Sequence, residues 1–199
     1  MFFIAALFIG FNHHRQLCVF GSALLFNETQ ESFKWLLNTF LKCMDGKAPN
    51  VIYSDEDLAI AGAVRTVMPS TQHFLCSWHL DQNAKKNLSA IYSKPVYVFK
   101  IIYNKVQCNF MSCNFILLLF CSFGELWRGL IYDSVDEADF EGRWEKMLEL
   151  FFPNGNCHTW LCRAYLSRQK WSFAWTENYF TGGMKSTQSV ESANACIKK

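Results

Sequence analysis

The chain has 199 residues, 51% of them hydrophobic and 18% charged, with a net charge of +2. That is long and apolar enough for one sizeable core, so a single domain is the starting expectation. A charge this close to zero excludes the global basic excess of a protein that coats DNA, so any nucleic-acid contact must come from a local patch. Nine cysteines include no C-x-x-C pair, and their odd number argues against a fully paired disulfide framework. They read as reduced thiols of a cytosolic or nuclear protein.

The opening MFFIAALFIG lacks the charged leader and small-residue cleavage site of a secretory signal and reads as a buried strand. Phe2 to Ile9 and Gln16 to Phe26 predict a hairpin around the polar turn FNHHR, where His13 and His14 face solvent. From Thr29, apolar residues at Phe33, Leu36, Leu37, Phe40, Leu41 and Met44 have amphipathic helical spacing, with Thr29 as the cap and Gly46 and Pro49 closing the element. Asn50 to Ser54 is a short β-rich run ending at Asp55. DLAIAGAVRTVM returns to helical spacing behind Asp57 as its cap, until Pro69 and Ser70 break it. His73 to Trp78 reads as a strand and His79 to Ile91 as a helix carrying Lys85 and Lys86. Such alternation implies an α/β sheet with helices on its faces.

Pro95 to Phe123 differs in kind: it has two charges and neither helical nor strand period. Its longest clean apolar run, Phe115 to Cys121, falls far short of the roughly 20 residues a membrane span needs. We read it as an insertion of translated non-coding sequence, which divides one domain into residues 1–94 and 124–199 around an apolar segment 95–123. Beyond it, DEADFEGRWEKMLELFF places Phe140, Trp144, Met147, Leu148 and Phe151 on one helical face, and NCHTWLCRAYLSRQKW predicts a second helix. Trp144, Trp160 and Trp171 read as core anchors. From Ser186, serine and threonine precede a last helical run, VESANACIKK, which carries Glu191.

Metal-dependent phosphoryl transfer needs carboxylates converging on two Mg²⁺ ions about 4 Å apart. Asp55, at the carboxyl end of a strand where open α/β sheets build their sites, and the helical Glu191 fit that need. Spacing alone is a weak signal, because a lone acid at a strand end more often caps a helix or sits in a solvated turn. Cys76 and His79 form C-x-x-H, half the ligands of a closed zinc site; no second pair has finger-like spacing, and a buried thiol beside a hydrogen-bonded core histidine is the favoured reading. Lys85, Lys86, Arg163, Arg168 and Lys170 could contact phosphates, and a solvated helix face explains them equally well.

Taken in order, VIYSDEDLAI (Val51 to Ile60), CSWH (Cys76 to His79) and STQSVESAN (Ser186 to Asn194) are more specific than any one alone. With the run from FIGFNHH through DQNAKKNL, and FEGRWEKMLE through SRQKWSFAW, the chain resembles the Mutator-like (MULE) transposase domain found in plant FAR-RED IMPAIRED RESPONSE transcription factors. The resemblance implies a ribonuclease-H-like, DDE-transposase-type mixed sheet flanked by helices, with a helical region toward the carboxy terminus. It implies that Asp55 matches the second aspartate and Glu191 the glutamate of the triad, the two positions that would hold Mg²⁺ in a catalytic member. It also matches Cys76 and His79 to the group's C-x-x-H element.

In the family the first aspartate lies on a strand just before the hairpin, whereas the first acidic residue here is Glu28. The expectation is therefore an amino-terminally incomplete, non-catalytic domain. The family's zinc-chelating DNA-binding region and SWIM-type zinc finger are likewise not represented. The function this implies is that of a transposase-derived nuclear regulator of transcription, reaching DNA through the full-length protein, forming homo- or heterodimers with related proteins, and using no membrane. The alternative is a Mutator-like element transposase truncated at its amino terminus; a third reading is a fragment with no stable product.

Overall fold

Ile4–Phe11 (β1) and Leu17–Leu25 (β2) pair antiparallel, Ile4 opposite Leu25 and Phe11 opposite Leu17. The turn between them is tied by Asn12, whose side-chain oxygen accepts from the backbone N–H of His14 (2.9 Å) and Gln16 (3.0 Å). A register shift follows Phe8, and the Phe20 ring lies over Gly10, where an added Cβ would sit 2.9 Å from the ring and would have to displace it. The computed structural model describes residues 4–12, 14, 16–102 and 115–181.

Helix α1 (Gln30–Cys43) begins where expected: the Thr29 hydroxyl accepts from the N–H of Ser32 at 3.3 Å. It ends at Gly46, whose φ of 76° is left-handed and whose N–H donates to the Leu41 carbonyl at 2.8 Å. Strands Val51–Ser54 (β3) and Gln72–Leu75 (β4) lie parallel, joined by α2 (Leu58–Val67). Asp57 caps α2 by accepting from Ala59 (2.7 Å) and Ile60 (3.0 Å), as its position predicts. β4 stops at Leu75 rather than Trp78, because helix α3 (Ser77–Asn87) already starts behind Cys76. A short α4 (Ser89–Tyr92) follows after Leu88 closes α3.

The stretch that shows no period in sequence forms a hairpin: Pro95–Ile102 (β5) pairs antiparallel with Phe115–Ser122 (β6), Pro95 directly opposite Ser122. A run of apolar residues on both faces of a strand has no alternation to read. Ser122 then forms a capping box with Glu125 and opens α5 (Phe123–Tyr132), a helix that sequence spacing did not reveal. Phe123 is thus the first residue of α5 and fully buried. Gly124 lets the Tyr92 ring approach so closely that a Cβ there would lie 2.6 Å from it.

Helix α6 (Glu137–Phe151) matches its predicted span and buries Phe140, Trp144 and Met147. The expected second helix breaks into α7 (Thr159–Leu166) and a 3-10 turn at Arg168–Lys170, because Ser167 closes α7 and turns the chain; α8 (Phe173–Thr176) follows beyond it. The final helical run containing Glu191 lies outside the described residues. Among the described residues the strands form three separate two-stranded sheets, not the single mixed sheet expected. No described helix is long and apolar enough to cross a membrane.

Two cores result. One packs Leu25, Phe33, Leu36, Leu37, Ala63, Val64 and Met68 between the β1–β2 hairpin, α1 and α2. The other surrounds Trp127 with Phe123, Phe140, Trp144, Trp160 and Trp171, so the three predicted tryptophan anchors are indeed core residues.

Candidate functional site

Asp55 follows directly on β3, at the carboxyl end of the parallel pair. Its carboxylate is exposed and accepts one long bond, 3.3 Å, from the N–H of Asp57. Because Asp57 takes the helix-capping task, the Asp55 carboxylate is left facing solvent. Its neighbour Glu56 is held by the Asn83 side-chain amide on α3.

Beneath Asp55 lies a polar pair, Ser54 buried and His73 half-buried. The Ser54 hydroxyl donates to the Asp55 carbonyl (2.9 Å) and sits 2.7 Å from His73 Nε2 on β4. With the serine proton committed to that carbonyl, Nε2–H donates to the serine oxygen. Burial, reinforced by the charge of Lys170, pushes His73 down to about 4; Asp55 pulls the other way and Arg65 adds to the depression. At neutral pH His73 is an uncharged imidazole. Neither Ser54 nor His73 stood out in the sequence, because their meeting depends on the parallel register of two strands separated by α2.

The chain returns across this pair of strands. Phe74 meets the Tyr179 ring edge-on at 5.2 Å, and Tyr53 shares a side-chain hydrogen bond with Thr181. Burial raises the Tyr53 phenol to about 12, so it stays protonated. Thr181 is therefore delivered beside β3, two residues from Asp55 along that strand, and Glu191 follows ten residues later. Glu191 itself and the STQSVESAN motif lie outside the described residues.

The C-x-x-H pair flanks the start of α3. Cys76 is 1% exposed and its N–H donates to the Ser54 carbonyl at 2.7 Å, while His79 is half-buried with its ring edge-on to Trp78 at 4.8 Å. Among the described residues no three His, Cys, Asp or Glu side chains converge in a way that would hold a metal ion. Lys85 is ion-paired with the buried Asp81 at 2.8 Å and lies 5.6 Å from the Tyr92 ring centre. Asp81 also receives the Tyr92 hydroxyl, so Lys85 is part of an internal network, whereas Lys86 is exposed.

Against this geometry, comparison with known proteins is specific. Residues 1–83 match the MULE transposase domain. The chain is 30% identical over 194 residues to Protein FAR-RED IMPAIRED RESPONSE 1 of Arabidopsis thaliana, covering 98% of this chain and 20% of that protein. It is 31% identical over 179 residues to FAR1-RELATED SEQUENCE 7 (90% of this chain, 20% of the relative) and 30% over 188 residues to FAR1-RELATED SEQUENCE 5 (94% and 20%), both from the same plant. The chain thus spans about a fifth of the length of these relatives. No solved structure matches it. The chain is thus similar along nearly all of its residues to one part of the FAR-RED IMPAIRED RESPONSE proteins, and its amino-terminal portion matches the MULE transposase domain.

Proposed function

We propose that this is a transposase-derived nuclear protein acting in transcriptional regulation, with a ribonuclease-H-like domain that no longer carries out strand transfer. The observation that carries the proposal is the similarity to FAR-RED IMPAIRED RESPONSE 1 over 98% of the chain. The order of elements supports the fold: an antiparallel hairpin, a helix, then a parallel strand–helix–strand unit with Asp55 at its carboxyl end.

A two-metal mechanism needs a shared carboxylate between the ions as well as one on each side. In this reading Asp55 and Glu191 would supply two such carboxylates; a pair alone would hold Mg²⁺ weakly and stabilise the pentavalent phosphorus transition state poorly. DNA contact, dimerisation with related proteins and zinc binding belong to the full-length protein in this reading, and residues 95–123 are an insertion into its domain.

Incubating the purified chain with supercoiled DNA and Mg²⁺ or Mn²⁺ is expected to give no nicking or joining, with Asp55→Asn indistinguishable from the parent. Cleavage that Asp55→Asn abolishes would instead support an active Mutator-like transposase. That second reading is favoured by one feature, the exposed Asp55 carboxylate with no capping role.

A further inference from the structure

A cleft of about 440 Å³ opens between α2, β4 and the turn that carries residues 169–179. Its size lies in the range that holds small ligands and nucleotides. Arg65, in the last turn of α2, and Lys170, at the end of the 3-10 turn, line it, and both side chains are exposed. Neither is ion-paired among the described residues, whereas Lys34, Lys85, Arg143 and Arg168 each have a carboxylate partner within 2.9 Å. Two cations without an ion pair among the described residues raise the positive potential of this concavity, against the opposing charge of Asp55, which also reaches His73.

The same cleft presents two aromatic rings, each braced from behind. Trp175 is backed by Phe140 edge-on at 5.0 Å, and Tyr179, 39% exposed, by Phe74 at 5.2 Å. Gln72, Gln169 and the neutral His73 add hydrogen-bonding groups without adding charge. A second cleft among the described residues, of about 300 Å³, is lined by Glu125, Asp133, Arg143 and Lys146, with both signs of charge and no ring.

We propose that the cleft bounded by Arg65, Lys170, Trp175 and Tyr179 binds single-stranded nucleic acid, the two cations on phosphates and the rings stacked on bases. Paired bases in a duplex are already stacked on each other and offer no free face to a protein ring, while a carboxylate-rich peptide gives the rings nothing to stack on. Single strands satisfy both halves of the cleft at once. The ligand class rests on the nuclear reading proposed above; the place rests on the cleft alone.

Fluorescence anisotropy of the full chain with a labelled oligothymidylate, titrated across salt concentrations, tests this. Replacing both cations (R65Q/K170Q) should lower the slope of log affinity against log salt by about 1.4, since each single-strand phosphate contact contributes about 0.7. Tyr179→Leu, which keeps bulk but not the ring, should weaken binding roughly 5- to 150-fold, while Tyr179→Phe should bind like the parent. Lys42→Gln, on α1, controls for general charge, and thermal melts confirm that each variant is folded. An unchanged salt slope in R65Q/K170Q, or duplex DNA or polyglutamate competing as well as the single strand, would overturn the proposal. Because none of these variants touches Asp55, failure here leaves the strand-cleavage result standing, and the two readings fail separately.

Discussion

The two cores are built on opposite plans. Around Trp127, helices α3 to α8 enclose aromatic rings on all sides: Trp160 lies 5.5 Å away, Trp171 5.1 Å and Phe123 6.3 Å, and every buried member is at most 8% exposed. The amino-terminal half, which carries the family match and Asp55, is buried on one sheet face only. Ile4, Ala6 and Phe8 point into its core, while Leu17, Val19 and Leu24 on the other face are 49%, 60% and 65% exposed. The helical half is closed on itself, and the half with the candidate chemistry is a one-sided layer whose strength lies in α1 and α2.

The largest expected effect sharpens that contrast. Trp127→Ala should cost about 3–5 kcal/mol in urea denaturation, as large-to-small changes in packed cores do. Trp127→Phe should cost distinctly less, because the indole N–H has no hydrogen-bond partner among the described residues and its loss leaves nothing unpaired. Leu24→Ser on the open sheet face should change stability by less than about 0.5 kcal/mol. A loss at Leu24 as large as that at Trp127 would mean the sheet face is covered, and the comparison would break.

An effect of intermediate size should appear with pH. His73 titrates near 4 in the folded chain and near 6.5 when unfolded, so between those values the unfolded state binds more protons. Its contribution is complete above about 6.5 and is lost as pH falls toward 4. His73→Gln should flatten the stability profile over that window, measured by thermal denaturation from pH 7 to pH 4; a profile unaltered by the substitution would show that the Ser54–His73 pair is open to water.

Smaller still is the difference between adjacent acids. Asp57→Ala should cost about 1 kcal/mol by uncapping α2, whereas Asp55→Asn should leave stability unchanged because its carboxylate supports only one long bond. Equal losses would show that Asp55 is structural. The smallest effect is expected from replacing residues 96–120 with a short glycine–serine linker. Pro95 and Ser122 face each other in register, so the cut ends are already adjacent. Unfolding of that variant would refute an insertion.

Much of this architecture was legible where a residue's role is local. Thr29 and Asp57 cap helices because short polar side chains ahead of an apolar period have few other uses, and Phe140, Trp144 and Met147 declare their face by spacing alone. Helix α5 was hidden because its capping box, Ser122 with Glu125, straddles the end of an unpatterned apolar run. The strand-to-helix boundary at Cys76 was misplaced because Ser77 and Trp78 suit either element until α3 packs its buried face. At the candidate site, Asp55 was visible as an acid ending a strand. The Ser54–His73 pair and the junction of Arg65, Lys170 and Tyr179 were not, since each joins residues brought together only by tertiary packing.

The proposed domain requires two acids far apart in the chain to share one sheet edge. Pulsed electron–electron resonance between spin labels at positions 55 and 191, introduced through noncanonical residues so that the native cysteines are untouched, measures this directly. One short distance band is expected, set by carboxylates close enough to flank a metal pair about 4 Å apart plus the label linkers. A broad distribution, or one centred far beyond the span of those linkers, would contradict it.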